Sequence, residues 1–139
     1  MSFDLVARNK KLDILSFNSF TWAVILDSGV GLVIGTALAR RPGTFSYIED
    51  KKGRCPQHND GYYVTAIEAR AMALVAKGWA ITKKYINREW ENMSLECRKE
   101  FGAINKEGPL LRTPVGESMI AKMEAFSEWA EKSHGFWIW

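Results

Sequence analysis

The sequence predicts a single, predominantly helical α+β domain over residues 1–139, with a small sheet that pairs the two ends of the chain. Three observations carry this. Ser2 to Ala7 alternate, with Phe3, Leu5 and Ala7 on one face and Asp4 and Val6 on the other, the period of a strand. Two long stretches, Thr65 to about Met93 and Thr113 to Ser133, carry helix caps and apolar residues at helical spacing. The last five residues, "GFWIW", are too apolar to stand as a free edge, and the N-terminal strand is their simplest partner.

The elements follow in order. "RNKKLD" is a charged turn after the first strand. In "LSFNSFTWAVILDSG" the β-branched and aromatic residues suit a strand, but Asn18 or Ser19 is a good N-cap and Gly29 sits where a C′ glycine belongs, so a helix over Phe20 to Leu26 is preferred. "VGLVIGTA" reads as a short extended segment. "LARRPGTFSYIEDKKGRCPQHNDG" reads as a long irregular connection, with "TFSYI" a candidate strand within it.

Asn59–Asp60–Gly61 then gives a tight turn, and Tyr62–Tyr63–Val64 a brief strand. Thr65 with Glu68 makes a capping box. The helix behind it has Ile67, Ala71, Leu74, Gly78, Ile81 and Tyr85 on one expected buried face. A second stripe, Val75, Trp79, Ile86, Trp90 and Met93, means the helix needs cover on two sides. Ser94 recaps "LECRKEF". Thr113–Pro114 starts the last helix in N-cap/N1 fashion, with Val115, Met119, Ile120, Met123, Phe126 and Ala130 inward, and Gly135 breaks it.

Together "SFD…ARN", "FN-x-x-x-W", "NDG-x-x-V-T-A-x-x-A" and the terminal "GF-x-I-W" resemble a family of small uncharacterised bacterial and phage-encoded proteins. The matching residues are Ser2–Phe3–Asp4, Phe17–Asn18, Trp22, Asn59–Asp60–Gly61, Val64–Thr65–Ala66, Ala69, Gly135–Phe136 and Ile138–Trp139. The resemblance covers most of the chain, supports the fold reading and implies no established activity. The central insertion and the long basic-aromatic helix depart most from the pattern.

Composition narrows the function. A net charge of +3 permits an anionic partner but is far from a nucleic-acid-binding signature, and specific nucleic-acid binding is not expected. The N-terminus lacks the apolar core of a secretory signal, and no apolar run reaches the ~20 residues that span a bilayer. The expectation is therefore a cytoplasmic chain (the host cytoplasm if phage-encoded) with no membrane partner. The two cysteines, Cys55 and Cys97, cannot build a disulfide framework.

Catalytic motifs are missing. His58 and His134 form no HExxH, and Cys55 with His58 offers two zinc ligands where a structural site needs four. No orienting third group accompanies them as a nucleophile pair. GxGxxG, Walker lysine and GxSxG motifs are absent from the sequence. Neither cofactor nor metal is expected.

Cations and aromatics do gather in one segment. Arg40, Arg41 and Arg54, with Lys51 and Lys52, lie near Tyr47, Tyr62 and Tyr63, just ahead of a helix N-terminus. Guanidinium groups suit phosphate or carboxylate, and tyrosine rings offer stacking faces. The expected ligand-binding set is Arg40, Arg41, Tyr47, Arg54, Tyr62 and Tyr63. The expected function is a non-catalytic, phage-type counter-defence protein that sequesters a nucleotide-like anion. The alternatives are an inhibitor or adaptor that binds a host protein through exposed aromatic surface, and a nucleotide hydrolase. Self-association is left open.

Overall fold

The two ends of the chain meet in a sheet. In the computed structural model, β6 (Phe136–Ile138) lies between β1 (Ser2–Ala7) and β5 (Tyr62–Val64), antiparallel to both. Strand β2 (Leu15–Asn18) completes the order β2-β1-β6-β5. The structure describes residues 1–34, 49–97 and 115–139, and only the backbone of 36–41 and 44–47. Register pairs Leu5 with Ile138 and Val64 with Phe136. Reciprocal hydrogen bonds between Asp4 and Trp139, 2.7 and 3.0 Å, extend the β1–β6 ladder. The expected α+β fold and pairing of the termini are what the structure shows.

Helix α1 (Ser19–Asp27) starts at Asn18, whose Oδ1 accepts the Thr21 N–H at 2.7 Å. It ends before Gly29, at φ 106°, the left-handed residue that terminates a helix. Asn18 also closes β2, so the stretch that could be strand or helix is both. "VGLVIGTA" departs from expectation: Val30–Ile34 form a 3-10 helix rather than an extended segment. That winding buries Val30, Gly31 and Ile34 together, which an alternating strand could not do. The stretch read as irregular also contains a two-stranded ribbon. Strand β3 (Thr36–Arg41) pairs antiparallel with β4 (Thr44–Tyr47).

Helix α2 (Ala66–Asn92) opens with the expected capping box. Thr65 Oγ1 accepts from the Glu68 N–H, and Glu68 Oε1 accepts from the Thr65 N–H. Its buried face, however, is the opposite of the expected one. Ala69, Met72, Ala73, Ala76, Ala80 and Lys83 are buried, whereas Ile67, Leu74, Ile81 and Tyr85 are 80%, 71%, 60% and 60% exposed. Bulk dominates a hydrophobic period, but close helix packing favours small residues. Helix α3 (Glu117–Lys132) lies along this alanine face, where Ser127 Oγ donates to the Ala73 carbonyl at 2.7 Å.

Helix α3 starts later than the Thr113–Pro114 pair predicts, with Gly116 at its N-cap; Thr113 and Pro114 lie outside the described residues. Val115 is therefore not on the helix. Its N–H and C=O both bond to the Asn87 side chain, at 2.9 and 2.7 Å, which ties the start of α3 to α2. Ile120, Met123, Phe126 and Ala130 face inward as expected. Ser94 does recap the chain, accepting the Cys97 N–H at 3.3 Å.

The core sits between the inner sheet face and the helices. Trp22 is 1% exposed and contacts Phe3, Phe17 and Phe126 with ring centroids 5.9–6.3 Å apart. Its Nε1–H donates to the Pro56 carbonyl at 2.9 Å, so a buried indole dipole is satisfied and the 55–60 loop is drawn into the core. Among the described residues no helix is long and apolar enough to cross a membrane.

Candidate functional site

The arginine–tyrosine segment is organised by its own internal bonds. Arg54 Nε pairs with Asp50 Oδ2 at 2.7 Å, and its Nη1 donates to the Gly61 carbonyl at 3.0 Å. Asp50 Oδ1 accepts the backbone N–H groups of Lys52 and Arg54. The Arg54 backbone bond above all holds the Asp50 carboxyl below its ordinary value; burial opposes it, and the Lys52 bond and the guanidinium add to the lowering. The result is a clamped turn that fixes the approach to β5.

Tyr62 and Tyr63 point to opposite faces, as alternation requires. Tyr62 packs on the core side; its hydroxyl donates to the Ile34 carbonyl at 3.4 Å, and burial pushes its pKa up. Tyr63 stacks beside Trp137 on the outer face, centroids 5.0 Å apart. Arg40, Arg41 and Tyr47 lie on the β3–β4 ribbon, and their side chains are outside the described residues. Of the six expected ligand residues, Arg54, Tyr62 and Tyr63 thus have intramolecular partners.

Asp60 closes the loop that carries Cys55 and His58. Asp60 Oδ2 accepts the Cys55 N–H at 3.1 Å and lies 3.9 Å from His58 Nδ1. Cys55 is 4% exposed and burial pushes its thiol up, the opposite of what activates a nucleophile. Among the described residues no group of three metal-ligating side chains comes together.

The outer sheet face carries the exposed aromatic surface. Strand β6 buries Phe136 and Ile138 and turns Trp137 and Trp139 outward. Register sets Trp137 between Tyr63 on β5 and Val6 on β1, and Ile14, 59% exposed, precedes β2 on the far side. Trp139, 52% exposed, lies over Gly61: a Cβ there would come within 2.7 Å of the indole. Gly61 also sits at φ 85°, so the glycine of "NDG" both makes the turn and seats the terminal tryptophan. Asp4, bonded to the Ser16 hydroxyl at 2.6 Å, borders the patch. The opposite phases of Tyr62–Tyr63 and of "FWIW" are the signal in the sequence that locates this surface.

A groove of about 410 Å³ between α2 and α3 is lined by Lys84, Asn87, Arg88, Glu117, Ile120 and Glu124. Lys84 pairs with Glu124 across it. With Glu91 its lining sets two cations, Lys84 and Arg88, against three carboxylates, so it does not favour an anion. No protein-family model, curated protein or solved structure matches the chain; fold and side-chain geometry carry the reading.

Proposed function

We propose that the chain is a non-catalytic protein-binding module, an inhibitor or adaptor, whose contact surface is the outer face of the sheet. The observation that carries it is the row Tyr63–Trp137–Val6, extended by Trp139 and Ile14. Flat, partly exposed aromatic surface with a polar rim is the composition of a protein contact, where Trp and Tyr dominate affinity. A rigid sheet loses little entropy when it binds. The nucleotide-sequestering expectation rests instead on Arg40, Arg41 and Tyr47, with Arg54 held by Asp50.

Affinity purification of the tagged chain from host cells, beside a Trp139→Ser variant, tests the reading. A host protein retained by the unmodified chain and lost from the variant, at equal melting temperature, is the expected result. Intact nucleotide released on denaturation, with no protein retained, would replace the reading by the sequestering one.

A further inference from the structure

A second exposed apolar surface is the outer side of α2, where the Tyr85 hydroxyl donates to Glu89 on the same helix. Ile67, Leu74, Ile81 and Tyr85, together with Ala71 and Gly78, sit diametrically opposite the alanine face that packs on α3. Their positions, 67, 71, 74, 78, 81 and 85, alternate in steps of four and three, the spacing of a helix–helix seam. Gly78 is the second observation. Among the described residues a Cβ added there would meet nothing within 4 Å, so their packing gives no reason for a glycine in the middle of a 27-residue helix, where it weakens the helix relative to alanine. Glycine at that place serves close approach by something outside the chain.

We propose that two copies of this chain associate through the outer faces of α2, antiparallel, about a two-fold axis at the level of residue 76. The sequence is self-complementary in that register. Leu74 stands opposite Gly78 of the second copy, Ile81 opposite its Ala71, and Ile67 opposite its Tyr85; the symmetry repeats each contact. Leu74 thereby meets a notch and Ile81 a small residue, so the layers fill evenly. A parallel pair would stack Gly78 on Gly78 and Leu74 on Leu74, leaving a void beside a crowded layer.

Charge permits the pairing. Arg70, Lys77 and Lys84 run along one flank of the seam, but Lys84 is paired with Glu124, and Arg70 and Lys77 share a groove with Glu131. The flank therefore sets three cations against two carboxylates, a small net positive charge on each copy. The stripe offers on the order of 500 Å² per copy; with the stems of its flanking residues it approaches the ~800 Å² per partner of a specific interface. A contact at the small end of that size range belongs with weak, reversible associations.

Sedimentation equilibrium of the full chain from ~1 to several hundred micromolar tests it. The particle mass should rise from one chain to two. Leu74→Lys should weaken association at least ~30-fold at unchanged melting temperature. Gly78→Leu should weaken it too while leaving the helix at least as stable, which separates a filled notch from misfolding. For orientation, in a Cys97→Ser background, Ala71→Cys should cross-link to Ile81→Cys on mixing and not to itself. One chain per particle throughout, Leu74→Lys associating as the unmodified chain does, or Ala71→Cys cross-linking to itself would each overturn the proposal. None of these outcomes touches the sheet-face reading, because the two surfaces share no residue.

Discussion

Gly135→Ala should unfold this domain more readily than its position near the C-terminus suggests. Gly135 links the end of α3 to β6 at φ 97°, after His134 at φ 58°. An alanine Cβ would lie 2.8 Å from the Val64 carbonyl oxygen, 2.8 Å from the Tyr63 hydroxyl and 3.2 Å from the Ala66 nitrogen. The tyrosine could move; the two backbone groups could not without shifting β5 or the start of α2. Gly135 is also held on its other side, its carbonyl accepting the Arg8 N–H at 2.8 Å. A left-handed non-glycine residue costs about 1–2 kcal/mol and forced overpacking about 1–3 more, so roughly 2–5 kcal/mol is expected. For a chain of this length, with an unfolding entropy of about 0.3 kcal/mol per degree, the melting temperature should fall by about 7–17 °C. Gly78→Ala is the control: in open space on α2 it should raise stability by about 1 kcal/mol. Urea unfolding followed by tryptophan fluorescence at nanomolar concentration reads both without self-association. A Gly135→Ala protein as stable as the unmodified chain would refute the close approach of β5, β6 and α2 at this point.

The remaining predictions concern the cap, the core and a buried cation. Thr65→Ala removes one half of the capping box and should cost about 1 kcal/mol in the same assay, with binding at the outer sheet face unchanged. Trp22→Phe leaves the Pro56 carbonyl without its donor and a gap beside Phe17, and should cost about 2–4 kcal/mol. Lys83 is 5% exposed, with its ammonium 5.8 Å from the Trp79 ring centre, and burial holds its pKa below the ordinary lysine value. Between that lowered value and about 10.4 the unfolded chain binds more protons than the folded one, so stability should rise with pH across this window. Denaturant titrations at stepped pH should show the rise flattened in Lys83→Met.

Local signals were legible wherever a single residue determines the backbone. Asn18, Thr65 with Glu68, Ser94, Gly29 and Gly135 each sit where their chemistry predicts. The pairing of the chain ends was legible because "GFWIW" is too apolar to stand as a free edge; its second partner, β5, was not. The 3-10 helix over Val30–Ile34 was not, because five apolar residues suit a strand or a turn equally and tertiary burial decides. The phase of α2 was misread because period counts weight Ile and Leu above Ala. For the site, Tyr63 was legible as one side of an alternating strand. Its neighbours Trp137 and Val6 come from remote parts of the chain and needed the register. Arg54 looked free because its partner, Asp50, lies in the same charged run.

The inverted phase of α2 follows from its neighbours. Rotating the helix half a turn would bury Ile67, Leu74 and Ile81, each worth roughly 1.5–3 kcal/mol, yet the folded chain exposes them. Two polar contacts oppose that rotation: Ser127 holds the Ala73 carbonyl, and Asn87 holds both backbone groups of Val115. Close packing opposes it as well. Ala69, Ala73, Ala76 and Ala80 let α3 and the 3-10 helix approach the α2 axis, and branched side chains in their place would push both away and open the aromatic core around Trp22. The burial forgone on the outer face is recovered only by a surface that fits it. The large–small alternation of Leu74 with Gly78 and of Ile81 with Ala71 is matched by its own two-fold image, which is why a second copy, rather than an arbitrary apolar partner, is the occupant the helix calls for.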